Sequence, residues 1–230
     1  MGLTISYHLS FLTPSIDNVH EKVLALQQIA RTLGFMNVGE IVVLKDSDCT
    51  IDMDDDGKDP HIELKVHASE ITGIGKGGKF FFRHPSDIIG FTATPGEGCT
   101  SADFGFRRYP DQENSQEWTW FGYCKTQYAS NPEYGGLDNF ITSHLKMVDL
   151  LDAAQTIGIG CDVSDNGDYW ETRDRTVLAR TVNEGNLFTA VIMGGLKDAL
   201  TREEGTFTAP ILDFPNFEYL EGEGQQRIRE

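Results

Sequence analysis

The sequence predicts an α+β fold, with a mostly antiparallel sheet from the N-terminal half covered by helices and a C-terminal helical portion. Three observations carry that expectation. Short segments of period-two apolar alternation crowd the first half, separated by Gly- and Pro-containing turns. Apolar residues at helical spacing dominate residues 137–200. Strands gathered early and helices gathered late favour a sheet with helices laid on it over alternating βαβ units.

The first element is plain. Leu3, Ile5, Tyr7, Leu9 and Phe11 alternate with Thr4, Ser6, His8 and Ser10, the pattern of a half-buried strand. Thr13-Pro14 then opens a helix to about Leu33, with Val19, Val23, Leu26, Ala30 and Leu33 on one face and Gly34 as its stop. Residues 38–45 read as a second strand, and 61–67 as a third, in which Ile62, Leu64 and Val66 alternate. Further strands are expected at 79–83, 88–94, 102–108 and 118–126. On the last of these, Trp118, Trp120, Gly122 and Cys124 share one face, while Phe121, Tyr123, Lys125 and Gln127 share the other. Both faces are bulky, so this strand is expected to be central and covered on each side.

Residues 137–157 carry Ile141, Leu145, Val148 and Leu151 at helical spacing and stop at Gly158. Residues 162–168 read as a helix-connecting turn, and 173–182 and 186–200 as two helices parted by Gly185. Residues 1–200 are expected to form one α+β domain, with 201–230 an extended arm over it.

Composition narrows the function classes. Apolar residues at 39% and aromatics at 10% are ordinary for a folded chain of 230 residues. No apolar run approaches the roughly 20 residues that a membrane helix needs. No basic segment followed by an apolar one opens the chain, so a cytoplasmic protein without membrane association is expected. Four scattered cysteines without a C-x-x-C pair disfavour structural zinc and suit a reducing compartment. The net charge of −17 repels nucleic-acid phosphates and attracts cations or basic protein surfaces.

Much of that charge lies in one segment. From Asp46 to Glu63 there are eight carboxylates against one lysine. Within it, Asp52, Asp54, Asp56 and Glu63, with Gly57 at the bend and the Lys58 carbonyl, match the twelve-position calcium-loop spacing. Oxygen donors at that spacing wrap a hard cation, so Ca2+ is the one cofactor the sequence suggests. No helical pattern precedes the loop, and a solvated acidic turn is the competing reading. Gly73 to Gly78 satisfies G-x-G-x-x-G, but strand-like Phe80-Phe81-Phe82 follows, so a lysine-bearing hairpin tip is expected instead of a dinucleotide turn.

The stretch from Trp118 to His144 is densest in chemically capable side chains. Cys124 as nucleophile, His144 as base and Glu171 nearby form the candidate catalytic set. Lys125, Gln127, Tyr128, Tyr169 and Trp170 are the candidate pocket residues. The competing reading of His144 is a structural histidine satisfied inside the core, because it lies within the apolar stripe of its helix.

Several blocks together resemble a family of uncharacterised bacterial proteins: the opening Met1 to Tyr7, Pro95-Gly96-Glu97-Gly98-Cys99, Cys124 to Ser130, Gly135-Gly136 with Asn139, Phe140 and His144, and Asp165 to Trp170. The resemblance spans roughly residues 1–200. It implies a bacterial, cytoplasmic protein of similar fold and assigns no catalytic residue. The concentration of polar, titratable and aromatic groups after a central strand makes a pocket-containing protein, of hydrolase or transferase type and acting on a small molecule, the expected function. The alternative is an acidic, non-enzymatic module that docks a basic protein partner, with or without structural calcium.

Overall fold

The computed structural model describes residues 2–52, 59–78, 80–110, 116–200 and 208–229. Along the chain the first half supplies β1 (Thr4–Leu12), α1 (Ile16–Thr32), β2 (Asn37–Val38), β3 (Val42–Lys45), α2 (Ile62–Ala68), β4 (Glu70–Ile74), β5 (Phe80–Arg83), β6 (Asp87–Thr94) and β7 (Ala102–Arg108). The second half supplies β8 (Glu117–Lys125), α3 (Gly136–Thr156), β9 (Gly160–Asp165), α4 (Tyr169–Thr172), α5 (Arg175–Leu200) and α6 (Phe217–Arg229).

Among the described residues, seven strands form one sheet in the order β2-β6-β7-β8-β1-β9, with β3 also paired to β6. Its strand pairings among the described residues are antiparallel, in keeping with the α+β reading. β4 and β5 make a separate hairpin whose tip carries Lys76, as expected of the glycine-rich segment. No helix among the described residues is long and apolar enough to cross a membrane.

Strand alternation builds the core on one face of the sheet. Register sets Ile5 opposite Cys124, Tyr7 opposite Gly122 and Leu9 opposite Trp120, and sets Phe91 opposite Phe104. Val19, Val23, Leu26 and Ala30 of α1 and Met147, Val148, Leu151 and Ala154 of α3 close over this face. The α1 stripe begins at Ser15, whose side chain accepts from the Asn18 amide, and ends at Gly34 with φ +71°. Tyr7 stacks on Phe104 at 5.1 Å, and a Cβ at Gly122 would sit 2.3 Å from its ring. Only glycine fits beneath that ring.

The opposite face is covered in part by α2. Gly90 and Gly105 pair across β6 and β7. A Cβ at Gly105 would fall 2.4 Å from the Ile89 carbonyl, so the two strands approach closely there. Leu64 and Ala68, four residues apart, are the α2 side chains that bury themselves on this platform. α2 leaves part of β8 open: Phe121 is 52% exposed and Tyr123 37% exposed. β8 is central, as expected, but one of its faces is only partly covered.

Four local expectations give way. Residues 61–67 are helical because Asp59 caps the turn: its carboxylate accepts the His61 amide at 2.8 Å and meets Lys65 Nζ at 2.6 Å. The buried pair Leu64/Ala68 is the true seam, and Val66 is 41% exposed. Residues 160–165 form strand β9 on β1, where a turn is expected. α5 runs unbroken through Gly185 and Gly194, and Gly224 of α6 faces the Leu187 carbonyl at a would-be Cβ distance of 2.8 Å. That last glycine permits close helix packing. Finally, residues 217–229 form helix α6 packed on α5 in place of an extended arm.

Candidate functional site

The sequence-predicted residues do not share one hollow. His144 is fully enclosed, its Nδ1 bonded to Thr126 Oγ1 at 2.9 Å and its Nε2 to Asp165 Oδ2 at 3.0 Å. Both ring nitrogens are thus occupied, so no lone pair is left to activate Cys124. The Cys124 thiol itself donates to the Thr100 carbonyl at 3.2 Å and is buried. The contact with Cys99, and then burial, hold that thiol well above its ordinary pKa. Cys124 and His144 are not hydrogen-bonded to one another; each bonds a different partner.

The remaining candidates scatter. Glu171 and Lys125 are exposed. Gln127 is buried, accepting the Leu3 amide at 2.9 Å and donating to Asn186 Oδ1 at 2.9 Å, which ties β1 to α5. Tyr128 meets Phe214 edge to face, near Cys99. Tyr169 lies edge-on to His144, and Trp170 lies under the Arg173 guanidinium at 4.5 Å. Of the calcium set, Asp54, Asp56 and Lys58 lie outside the described residues. Asp52 precedes that gap, and Glu63 stands in the first turn of α2. No group of three or more metal-capable side chains occurs among the described residues.

A different cleft has the geometry of a reactive site. It encloses about 320 Å³ where α2 ends over β7 and β8, and its walls include Ile62, Val66, Tyr123, Ser101 and His67. His67 Nδ1 is hydrogen-bonded to Asp103 Oδ2, and Thr92 Oγ1 donates to Asp103 Oδ1. The Asp103 side chain is 3% exposed and the His67 side chain 33% exposed. An ionised carboxylate only accepts, so Nδ1 carries the proton and Nε2 keeps the ring's lone pair. Of the six histidines, only His67 joins a buried carboxylate to a partly open ring among the described contacts.

The folding pattern explains why the pair meets. Asp103 sits on the α2 side of β7 between core residues Ala102 and Phe104, so its side chain leaves the core with the strand's alternation. Its peptide is pinned from the core side, since Tyr7 Oη and Trp120 Nε1 each donate to the Asp103 carbonyl at 2.7 Å. α2 is anchored above it by Arg107, whose Nη1 donates to the Ala68 carbonyl at 2.7 Å and to that of His67 at 3.2 Å. The hydrogen bond to Asp103 raises the His67 pKa above its ordinary 6.5, outweighing burial, which lowers it.

Sequence reasoning passes over this pair because 36 residues separate its members. One signal does exist. Asp103 is a lone acid inside the apolar run Ala102 to Phe106, and a charge in such a strand needs a partner. Comparison with protein-family models, curated proteins and solved structures gives no match for this chain.

Proposed function

We propose that the protein is an enzyme of hydrolytic or transfer type that works at the His67 cleft on a small molecule. The observation that carries this reading is an imidazole held by a buried carboxylate, on a partly exposed side chain that lines a cleft. In that arrangement Asp103 sets the tautomer and steadies the imidazolium, while Nε2 takes a proton from an attacking water or substrate hydroxyl. The walls from Ile62 and Val66 would hold an apolar group, and Ser101 and Tyr123 offer hydroxyls for orientation. Glu63 at the rim and the net charge of −17 favour neutral or cationic substrates over phosphates.

The test compares saturable hydrolysis of neutral ester and amide series by the wild type, His67→Gln and Asp103→Asn. His67→Gln is expected to lower kcat by about 10²–10⁴-fold, the usual worth of a positioned general base. NMR titration should place the His67 midpoint above 6.5 and move it down in Asp103→Asn. By linkage, the ion pair stabilises the fold fully below the unfolded-state pKa near 6.5, and that contribution fades as pH rises through the higher folded value. Equal rates for wild type and His67→Gln on every substrate would remove the proposal.

The second reading is an acidic module docking a basic protein. It is favoured by the partly uncovered sheet face, where Phe121 stands 52% exposed. Salt-sensitive capture of a defined basic partner, lost in Phe121→Asp, would support it over the enzyme. Calcium joins either reading through Asp52 to Glu63. Calorimetry at millimolar calcium should then give heat that the double variant Asp52→Ala, Glu63→Ala loses. The family resemblance favours a bacterial setting, and that resemblance together with the four scattered cysteines favours a cytoplasmic one.

A further inference from the structure

A second cavity, of about 240 Å³, opens beside the segment that links β7 to the preceding turn. Cys99, Tyr128, Tyr134, Asn131, Asp213 and Phe214 are among its walls. Cys99 is partly exposed, and the Cys124 thiol donates to the carbonyl of Thr100, the next residue along, at 3.2 Å. The backbone brings the two together. The Thr100 amide donates to the Lys125 carbonyl at 3.0 Å, and the Lys125 amide donates to Thr100 Oγ1 at 2.9 Å. Gly98, at φ +80°, presses so closely on residues 128 and 129 that a Cβ there would lie 2.6 Å from the Tyr128 carbonyl. The turn that carries Cys99 is therefore fixed against the end of β8.

We infer that Cys99 and Cys124 are a peroxide-reactive thiol pair, in which Cys99 meets the oxidant from the cavity and Cys124 resolves it to an intramolecular disulfide. The four thiols differ in the way this requires. Cys99 is held below its ordinary pKa by the Cys124 contact, against the effect of burial, with help from the Ser143 hydroxyl and the Gly96 backbone. Cys49 and Cys161 are both pushed up to about 12, chiefly by burial. In the first step the Cys99 thiolate attacks one oxygen of hydrogen peroxide. The O–O bond breaks, an S–O bond forms, and the departing hydroxide takes a proton to become water. Cys124 then attacks the sulfenic sulfur. An S–S bond forms as the S–O bond breaks, and the leaving hydroxide carries off the Cys124 proton as a second water. The two thiols lose two electrons and the peroxide gains them.

This inference is independent of the His67 reading, although Thr100 lines both cavities. The test treats the full-length protein with hydrogen peroxide, alkylates the remaining thiols under denaturing conditions and maps peptides by mass spectrometry. A Cys99–Cys124 linked peptide, two hydrogens lighter and reversed by dithiothreitol, is expected, with Cys49 and Cys161 alkylated. In Cys124→Ser, dimedone should trap a sulfenic acid at Cys99; in Cys99→Ser, neither linkage nor trapping at Cys124 should occur. If Cys124→Ser does not fold, the wild-type linkage decides. The inference is overturned if Cys99 stays as reduced as Cys49, if it links to Cys161, or if its sulfenic acid accumulates in the wild type without bonding Cys124.

Discussion

Asp165→Ala is expected to cost about 3–5 kcal/mol of folding stability, because it strands a buried, hydrogen-bonded histidine and three backbone donors at once. Asp165 Oδ2 accepts from the Tyr169 and Trp170 amides at 3.0 Å, and Oδ1 from that of Gly167 at 2.7 Å, besides bonding His144. For a chain of this size the loss corresponds to a fall of roughly 6–20 °C in Tm. His144→Ala should cost a similar amount, and the double variant less than the sum, since the two residues share one network. Thermal and urea melts of the three variants measure this. A Tm change within about 2 °C for Asp165→Ala would show that the network contributes little.

The same carboxylate gives the fold an acid limit. Burial disfavours its ionised form, but the bonds from His144 and the backbone amides prevail and lower its pKa below 3.8. A depressed folded value means that the stabilisation is complete above the unfolded value near 3.8, and is lost as pH falls through the lower folded one. Asp165→Asn should therefore flatten that part of the acid unfolding curve.

Trp120→Ala should lower stability by a comparable amount, about 3–5 kcal/mol. Trp120 is fully buried at the centre of the sheet and fills the space between β8 and the helices. It also donates its indole N–H to the Asp103 carbonyl. Trp120→Phe separates these contributions. It keeps much of the apolar contact and loses the hydrogen bond, which is worth about 1 kcal/mol net. The urea midpoints of the two variants, compared at constant m, give the difference. Equal losses in both would place the whole effect in the hydrogen bond.

Much of the sheet is legible in the chain because one-sided burial writes a local signature. Ile5, Tyr7 and Leu9 alternate with polar residues, and Ala102, Phe104 and Phe106 do the same across Asp103 and Gly105. α1 and α3 show equally clear stripes. Where the signature is brief or mixed, the local rule misleads. Ile62, Leu64 and Val66 fit a strand until Asp59 caps the turn, and only the spacing of Leu64 and Ala68 tells the helix. Gly185 resembles a helix break, yet α5 continues through it beside Leu3 and Gln127.

The candidate site was far less legible. His144 and Cys124 attract notice by composition, but what each touches depends on Thr126, Asp165 and Thr100, none of which a local pattern pairs with them. Sequence alone determined the alternation, the helical stripes, the acidic field and the residues able to do chemistry, since these follow from side-chain type and spacing. Tertiary structure decided that His67 faces Asp103, that His144 is spent on the core and that the Cys124 thiol lies against Thr100, the neighbour of Cys99. The reason is physical: strand register and helix placement bring distant residues together, and both emerge from packing summed over the whole molecule.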